Sequence, residues 1–324
     1  MLGDNWIIHP PVMADLDAVV DLINACARAD IGTDNITPAR LHTLWTDERF
    51  HLATDAWIVA TRDGRIAGYA DFGDEEPPET YPMSGYVHPD YLGRGIGTHL
   101  LGLIEQRARQ AMINAPPDLR IALQNGIYAT NAGARELLEH EGYTLVRRWY
   151  KMLIEMDVPP PASQAPEGIA LRTFRPGEED RAMHAAYEEA MADEWEHLPL
   201  SYERWRHYKI DTEPNFDPTL WFLAMDGDQI AGLALCRWER PGEPDQGHVR
   251  DIGVRPAWRR RGIGLALLRY VFGEFYRRGK RRVGLGVDAN SLTGADRLYR
   301  KAGMHVLLET VIYQKELRPR KRDG

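Results

Sequence analysis

Apolar residues along this chain follow one pattern that appears twice. Residues 57–70 (WIVATRDGRIAGYA) are two apolar runs broken at Asp63-Gly64, and residues 221–234 (WFLAMDGDQIAGLA) repeat the pattern with Asp226-Gly227 at the break. Two apolar runs joined by an Asp-Gly pair predict a β-hairpin with a tight turn. Each half of the chain is therefore predicted to contain one hairpin.

Apolar residues then return at helical spacing after each hairpin, over His99–Ala111 and over Leu265–Tyr276. Short apolar segments at 120–126 and 281–289 follow these helices and are typical of strands. In each half the order is helices, a hairpin, a third strand, a glycine-containing turn, a long helix, a strand, a short helix and closing strands. The pattern predicts an α/β fold with two tandem domains, each a mixed β-sheet flanked by helices.

The two halves are also copies of one sequence. YVHPDYLGRGIGTHLL (86–101) has the same skeleton as GVRPAWRRRGIGLALL (253–268), at an offset of 167 residues, and the two hairpins correspond at an offset of 164. NAGARELLEHEGY (131–143) corresponds, in the same order, to GADRLYRKAGM (294–304). Three blocks in one order at nearly constant spacing indicate a tandem duplication.

A proline-rich segment separates the two copies. Residues 156–168 (MDVPPPASQAPEG) contain four prolines, and proline removes backbone donors and favours extended chain. We expect this segment to be a semi-rigid spacer. The predicted domains are an N-terminal one over 1–156 and a C-terminal one over 169–324, joined by a linker over 157–168.

Composition refines this picture by exclusion. The 324 residues fit two domains of ordinary size, and 44% hydrophobic with 27% charged residues is typical of globular proteins. A net charge of −8 argues against nucleic acid as a partner, and two distant cysteines, Cys26 and Cys236, indicate neither a disulfide framework nor a metal site. We see no secretory signal and no apolar stretch of the roughly 20 residues that cross a bilayer. We therefore expect a cytoplasmic protein without membrane contact.

The segment WRRRGIGLALL (258–268) carries the candidate chemistry. Glycines between a strand and a helix leave several backbone N–H groups free beside the positive end of the helix dipole, which suits a phosphate. A P-loop is excluded because no lysine follows the glycines, and neither copy has the G-x-G-x-x-G spacing of a dinucleotide motif. The pattern [Q/R]-x-x-G-x-[G/A] remains, and residues 259–264 fit it fully.

Through this pattern both halves resemble the GNAT superfamily of acyl-CoA-dependent N-acyltransferases, whose turn holds the pyrophosphate of coenzyme A. The resemblance covers almost the whole chain and includes the block D-A-N…G-A-x-R-L-Y…A-G-M at 288–304. It implies acetyl-CoA as the donor and no metal. The tandem arrangement is similar to that of two-copy members of the family, in which the second copy carries out the reaction. The cofactor-binding residues that it implies are Ile252, Val254, Arg259, Arg260, Arg261, Gly262, Ile263, Gly264 and Asn290 in the second half, and Val87, Arg94, Gly95, Ile96 and Gly97 in the first.

The two copies differ at positions that matter for this chemistry. The counterpart of Arg259 is Leu92, so one side chain expected to face phosphate is lost in the first half. The resemblance implies that Tyr299 protonates the leaving thiolate, and its counterpart is Leu138. A phenol can donate a proton to a thiolate, whereas leucine cannot. We therefore expect the second half to be catalytic and the first half to be degenerate.

Charge favours the same assignment. Residues 250–282 contain eleven Lys or Arg and two acids, a net charge of +9, and the equivalent window 83–115 has a net charge of +1. Arginine matches phosphate geometry, so the basic window suits the pyrophosphate and 3′-phosphate of coenzyme A. A solubilising face and a nucleic-acid surface are the alternative interpretations of the same charges.

An amine acceptor also requires a proton acceptor, because an alkyl ammonium with a pKa of about 10 is not nucleophilic at neutral pH. The strand before the turn, GHVRDIGV (247–254), offers Asp251 and His248, which face opposite sides if the strand is regular. The resemblance favours an acidic base here and therefore Asp251. His248 is an alternative, as are Glu194 and His197 on another segment, or a purely structural role. We expect a backbone N–H around Ile252 to Val254 to polarise the thioester carbonyl.

The acceptor itself is left open. Residues 193–208 (DEWEHLPLSYERWRHY) gather aromatic side chains on the segment that covers the acceptor in this family, but such residues are equally typical of interdomain packing. Tyr128, Tyr143 and Tyr150 are predicted to pack. We predict a monomer or homodimer that transfers acetyl from acetyl-CoA to a primary amine of a small molecule by direct attack. The alternatives are a non-catalytic acyl-CoA sensor and a detoxifying or resistance acetyltransferase acting on a foreign amine.

Overall fold

The computed structural model has two compact units, unit 1 (residues 1–147 and 309–324) and unit 2 (residues 148–308). It describes residues 2–3, 5–74, 79–195, 197–213, 216–239, 243–290 and 294–320. Among these residues, no helix combines the length and the apolar character needed to span a membrane.

Unit 1 is a mixed sheet with helices on both faces. Its elements are β1 (Trp6–His9), α1 (Leu16–Ile31), α2 (Pro38–Trp45), α3 (Leu52–Asp55), β2 (Ala56–Thr61), β3 (Ile66–Phe72), β4 (Thr80–Val87), α4 (Ile96–Ala111), β5 (Ile121–Tyr128) and α5 (Ala132–His140). The chain passes into unit 2 within β6 (Thr144–Glu155) and returns to unit 1 within β12 (His305–Arg318). The strands pair in the order β1-β2-β3-β4-β5-β12, with β4 and β5 parallel and the other pairs antiparallel.

Unit 2 repeats this plan. After β6 come β7 (Ile169–Thr173), α6 (Asp180–Met191), α7 (Tyr202–Arg206), β8 (Trp221–Asp226), β9 (Gln229–Arg237), β10 (Gln246–Val254), α8 (Ile263–Arg277), β11 (Arg282–Asp288) and α9 (Ala295–Lys301). Its strands pair in the order β7-β8-β9-β10-β11-β6, with β10 and β11 parallel. The predicted α/β class with two mixed sheets is confirmed, as are the hairpins β2–β3 and β8–β9.

Each sheet buries a core against the long helix that follows the glycine turn. On α4 the buried positions are Ile96, Leu100, Leu101, Ile104 and Ala108, a repeat of three to four residues that places one apolar face on the sheet. The buried face of α8 is larger and more aromatic. Burying one such leucine or phenylalanine side chain contributes about 1.5–3 kcal/mol, so these faces hold the turn residues in place. The α8 face consists of Ile263, Ala266, Leu267, Leu268, Val271, Phe272 and Phe275.

The closing strands do not follow the boundaries that the sequence predicts. Residues 149–155, assigned to the N-terminal domain, pair along β11 in unit 2, and residues 310–318, assigned to the C-terminal domain, pair along β5 in unit 1. Partner choice between strands depends on long-range pairing, which the residues of β6 and β12 do not specify locally. The compact units therefore differ from domains over 1–156 and 169–324.

The proline-rich segment 157–168 is joined by hydrogen bonds to α8 and β7. It belongs to unit 2, where the Ser163 hydroxyl donates to the Ala266 carbonyl in α8 at 2.7 Å. The Pro166 carbonyl accepts from the Ile169 N–H at 3.0 Å and so joins the segment to β7. Most of the segment is exposed, so these contacts anchor it to unit 2, and its role as a semi-rigid spacer stays a prediction.

Candidate active site

A cleft opens in unit 2 where β10 and β11 diverge. The two strands pair only from Gln246–His248 to Arg282–Gly284, after which β10 continues beside β9. The Arg255 N–H donates to the Ala231 carbonyl at 3.0 Å, and hydrogen bonding alternates along antiparallel strands. The N–H and C=O groups of Ile252 and Val254 therefore point away from β9 and into the cleft, where a thioester carbonyl is expected to be polarised.

The glycine turn closes one end of this cleft. Gly262, with φ at 88°, is the N-cap of α8, and Arg260 has φ at 63°, a left-handed conformation that costs energy for a residue with a Cβ. Successive backbone N–H groups in such a turn make a concave anion site at a helix N-terminus. A Cβ on Gly264 would lie 2.9 Å from Leu298 Cδ2, so this glycine also lets α9 pack against α8.

Arg259 is bound to protein atoms rather than directed at open solvent. Its Nε donates to the Val254 carbonyl at 3.0 Å, and its guanidinium also forms an ion pair with Asp193 and contacts the Ala190 carbonyl. The Val254 carbonyl is one of the cleft-facing groups. Arg259 must therefore exchange these partners before it can bind a phosphate.

The basic window 250–282 is largely paired with acids from outside it. Among the described residues, seven of its eleven cations form ion pairs, six of them with an acid outside the window, so the net charge of +9 counted along the sequence overstates the free positive charge. Arg261 pairs with Asp226 at 3.4 Å and lines a cavity of about 350 Å³ together with Arg269, Gly262 and Pro166. This cavity lies beside the glycine turn. The paired cations are Arg250, Arg255, Arg259, Arg261, Arg277, Arg278 and Arg282.

Tyr299 lies in the core beside an acidic side chain. Its phenol is 6% exposed and packs in the cluster formed by α8, α9 and β11. Burial and the nearby Glu194 carboxylate raise the pKa of Tyr299 above its ordinary value of 10. The phenol therefore stays protonated at neutral pH.

Glu194 is the acidic residue whose negative charge contributes to the raised pKa of the Tyr299 phenol. Partial burial of its carboxyl, followed by the negative charge of Asp288, raises the pKa of Glu194 above 4.5, and Asp251 adds a smaller contribution. A carboxylate with a raised pKa is a stronger base than an ordinary surface carboxylate. Glu194, an open alternative at the sequence level, is therefore a carboxylate whose charge is felt at Tyr299 and which itself feels the charge of Asp251.

Asp251 and His248 lie on one face of the sheet, so the expectation that they face opposite sides is wrong. His248 pairs with Arg237 and Asp251 with Leu235, two residues apart on β9, because a bulge between Val249 and Asp251 inserts an extra residue. Residues paired across two strands point to the same face of the sheet. The extra residue at the bulge shifts the alternation of faces along β10 by one position. Sequence alone does not show a bulge of this kind.

Asp251 is an ion-paired residue. Its carboxylate accepts from Lys209 Nζ at 2.9 Å and from the Tyr187 hydroxyl at 3.2 Å, and Arg250 Nε lies 3.6 Å away. Burial lowers the pKa of Lys209 and the pair with Asp251 opposes this effect. These contacts occupy the lone pairs that a base needs, and they favour a positioning role for Asp251. Lys209 and Tyr187 carried no motif that singles them out in the sequence.

The aromatic segment 193–208 serves mainly as packing in unit 2. Trp205 is fully buried among Tyr187, Trp221 and His184, while Tyr208 is 49% exposed. His197 Nε2 lies 2.9 Å from the Glu188 carboxylate and is engaged there. Asn290 follows β11, and its N–H donates to Asp288 Oδ1 at 2.8 Å.

Unit 1 has the equivalent turn with a larger cavity. Gly95 is the N-cap of α4 with φ at 79°, and Gly93, at 72°, takes the position of Arg260. The cavity of about 690 Å³ is lined by Val87, Ile96, Gly97 and Leu138, among others. Arg94 stacks on Tyr91 and donates to the Asp90 carbonyl at 3.3 Å.

Comparison with known proteins agrees with this double arrangement. The sequence profile of the acetyltransferase (GNAT) family matches residues 16–143 and again residues 181–304, and the chain belongs to this family. It is an N-acetyltransferase with two tandem copies of the fold.

The most informative relatives match over nearly the full length. Mycothiol acetyltransferase from Salinispora arenicola is 32% identical over 95% of this chain and 94% of its own, and that from Thermobispora bispora is 29% identical over 93% and 96%. A crystal structure of a GCN5-related N-acetyltransferase from Sphaerobacter thermophilus has a TM-score of 0.84 at 41% identity, covering 98% of both chains. A tandem GNAT protein from the clavulanic acid biosynthesis pathway has a TM-score of 0.68 at 17% identity, covering 97% of this chain and 99% of its own. At this identity the likeness shows the shared fold.

Proposed function

We propose that the protein transfers acetyl from acetyl-CoA to a primary amine of a small molecule, and that unit 2 carries out this reaction. The observation that carries the proposal is the cleft between β10 and β11 at the glycine turn of α8, with Tyr299 in the core of the same unit and the charge of Glu194 contributing to the raised pKa of its phenol. An acid and a base at one cleft are what amide formation from an ammonium and a thioester requires.

The donor would bind along β10 and at the turn. The N–H groups at the start of α8, from Gly262 to Gly264, would hold the pyrophosphate, and Arg260 and Arg261 lie beside it. The pantetheine arm would extend along β10, where the backbone groups of Ile252 and Val254 face the cleft. An N–H at this position stabilises the negative charge that develops on the thioester oxygen.

The chemistry would then need only two side chains. Glu194 would take a proton from the ammonium and release a neutral amine, which attacks the thioester carbon. The C–N bond forms, the C–S bond breaks, Tyr299 gives its proton to the departing thiolate, and the second proton of the amine nitrogen restores the phenol. Direct attack fits the protein, because burial raises the pKa of Cys236 and keeps this thiol protonated.

Asp251 would act through other residues. Its pairing with Lys209 and Tyr187 ties β10 to the segments that carry Glu194 and the acceptor side of the cleft. We therefore propose Glu194 as the base in preference to Asp251 and His248. The relatives named mycothiol acetyltransferase make the acceptor of those enzymes the first one to test.

A panel of primary amines, with thiol release from acetyl-CoA as readout, tests the function. The panel should contain the acceptor of mycothiol acetyltransferase, simple amino sugars, amino acids and polyamines. We expect release above the no-amine rate with at least one member, and loss of most of that rate in Tyr299→Phe. An enzyme that releases no thiol with any amine would refute the proposal.

A further inference from the structure

Three cationic side chains of unit 2 meet beside β10. Arg237 ends β9, Arg250 lies at the bulge of β10, and Lys209 belongs to the helical turn His207–Asp211 that follows α7. Burial lowers the pKa of Lys209, and the charges of Arg250 and Arg237 add to this effect while the charge of Asp251 opposes it. The three positive charges therefore act on one another, and we call these three residues the cation cluster.

The cation cluster holds fewer anions than cations. Glu213 accepts from Arg250 Nη1 at 2.8 Å and also forms an ion pair with Arg237. Asp251 accepts from Lys209 Nζ at 2.9 Å, and Arg250 Nε lies 3.6 Å from the same carboxylate. Among the described residues these ion pairs join three cations to two carboxylates, so one positive charge is in excess. The side chains of Glu213 and Asp251 are only 8% and 15% exposed, and charges in such a place are screened little by water and salt.

Arg237 also has a donor that is not used within the protein. Its Nε is buried and has no hydrogen-bond partner in the part of the chain that the structure describes. Buried polar groups are nearly always hydrogen-bonded in folded proteins, so an unpaired one calls for an explanation, and a ligand supplies one. The side chains of Arg237 and Arg250 are 23% and 24% exposed, so the cation cluster can be reached from solvent.

The cation cluster lies where β10 and β11 part. His248 is the last residue of β10 that pairs with β11, and Arg237 lies opposite it on β9. A Cβ on the preceding Gly247 would lie 2.6 Å from Phe275 in α8, so His248 and Arg237 face away from α8. They lie on the face of the sheet that packs against α6. This face also carries the segment 193–208, which the sequence assigns to the acceptor.

We propose that the cation cluster binds a carboxylate of the acceptor, so that the acceptor is a primary amine that also carries a carboxylate. The proposal rests on the proposed function for its reaction and adds the class of acceptor. Guanidinium groups match the geometry of carboxylates, and both anions that the cluster already holds are carboxylates. A third carboxylate would cancel the excess charge and accept from Arg237 Nε.

A carboxylate held by the cation cluster takes no part in the making or breaking of bonds. It therefore contributes the same binding energy to the bound substrate and to the transition state. Loss of this contact should raise the KM for the acceptor and leave kcat nearly unchanged. This pattern separates a binding contact from a contribution to the chemical step.

Matched acceptors test the proposal on the wild-type protein. Linear ω-amino carboxylates of increasing length are compared with the corresponding ω-amino carboxamides, with thiol release from acetyl-CoA as readout. The members of each pair share the amine and the chain length, and only one is negatively charged at its far end. We expect at least one carboxylate to have a kcat/KM about 10- to 100-fold above its carboxamide, mostly through KM, which is the scale of hydrogen bonds to a charged group. The same carboxylate without the amine should inhibit competitively against that acceptor.

Arg237→Gln separates the cation cluster from other causes of such a preference. It should bring the ratio of kcat/KM between carboxylate and carboxamide close to one, whereas Arg237→Lys, which keeps the charge, should retain part of the preference. Arg172→Gln is the matched control, because Arg172 of β7 is also paired with a glutamate, Glu179, and is 28% exposed, but lies outside the cluster. It should keep the full preference. The wild-type comparison decides the question even if Arg237→Gln does not fold.

Two results would overturn the proposal. One is a series in which no carboxylate exceeds its carboxamide, and the other is a preference that is as large in Arg237→Gln as in Arg172→Gln. In both cases amines are still acetylated, so only the carboxylate site is refuted and the proposed function stands. Absence of thiol release with every amine would refute both.

Discussion

The Glu194 carboxylate lies close enough to the Tyr299 phenol to raise its pKa, and the two side chains come from segments about 100 residues apart. The two pKa values are raised by different causes. The negative charge keeps the phenol protonated, and partial burial beside Asp288 keeps the carboxyl basic. Most of the predictions below depend on this pairing or on the turn that faces it.

Replacing Tyr299 by phenylalanine removes the proposed acid with almost no change in volume. We expect kcat to fall by about 10- to 1,000-fold while the KM for acetyl-CoA changes little, because the phenol is needed only when the thiolate leaves. Steady-state kinetics with thiol detection measures both. Tyr150→Phe, a change at a tyrosine packed on the same core, should leave kcat intact, and equal losses in the two variants would return Tyr299 to a packing role.

The two candidate bases should respond differently to substitution. In Glu194→Gln we expect a lower rate that partly recovers at high pH, where more of the amine is already neutral. The wild-type rate should rise with pH through the pKa of Glu194, which burial raises above 4.5. Glu194→Gln should abolish this acidic limb of the pH–rate profile. A pH–rate profile of kcat/KM shows the limb directly.

Asp251→Asn provides the contrasting result. It leaves the buried Lys209 ammonium without its anionic partner, and breaking such a pair costs about 3–5 kcal/mol of unfolding free energy. We expect a marked loss of stability in urea unfolding and an unchanged acidic limb in the folded protein. Loss of that limb in Asp251→Asn, with retention in Glu194→Gln, would identify Asp251 as the base.

Arg259 should bind either the protein or the cofactor. Arg259→Leu, which copies Leu92, should weaken acetyl-CoA binding by about 1–3 kcal/mol, the scale of a charge-assisted contact. Asp193→Asn releases the guanidinium from its ion pair and should strengthen binding. Calorimetric titration with acetyl-CoA measures both. Tighter binding in Arg259→Leu would mean that the arginine only blocks the cleft.

Arg260 holds a conformation that glycine adopts without strain. Arg260→Gly should raise the free energy of unfolding of unit 2 by about 1 kcal/mol, since a left-handed residue with a Cβ costs about 1–2 kcal/mol. It should also weaken acetyl-CoA binding, because a cation beside the turn is lost. Urea unfolding reports the first effect, and Arg261→Gly, at a position without positive φ, should show no gain. An unchanged or lower stability for Arg260→Gly would show that the turn is not strained.

Asp71 makes a separate prediction about stability. Burial raises its folded pKa to about 6, above its ordinary 3.8, so stability is fully present below pH 3.8 and declines as the pH rises through 6. Asp71→Asn should therefore stabilise the protein at pH 7 by at most about 3 kcal/mol, at 1.4 kcal/mol per pH unit, and give no gain near pH 4. Urea unfolding at the two pH values tests this. A destabilised variant at both would mean that the carboxylate is held for structure.

The parts of the fold with a local signal were predictable. Asp-Gly pairs marked both hairpins, and the glycines at 95–97 and 262–264 marked the turns because a left-handed N-cap needs glycine. Tyr299 was singled out through the family resemblance, and its role as proton donor stays a prediction. In these cases the chemistry of a few neighbouring residues determines the structure.

The features that sequence reasoning missed depend on long-range pairing. The bulge before Asp251 changes which face a side chain occupies, and nothing in RDIGV announces it. The pairing of Lys209 with Asp251 joins segments that share no pattern. Asp71 did leave a signal, because it is an acid in the otherwise apolar strand YADF, at the position where the second copy has Leu235. A residue-by-residue comparison of the two hairpins would have found it.

The exchanged closing strands also affect how the chain can be made and divided. Unit 1 cannot complete its sheet until residues 310–318 have been synthesised, so its β5 edge stays unpaired during nearly all of translation. A cut in the proline-rich segment would leave the first fragment without that strand and the second without residues 149–155. After the duplication, unit 2 is one continuous segment, 148–308, whereas unit 1 is assembled from both ends of the chain, so a cut in the proline-rich segment leaves neither unit intact.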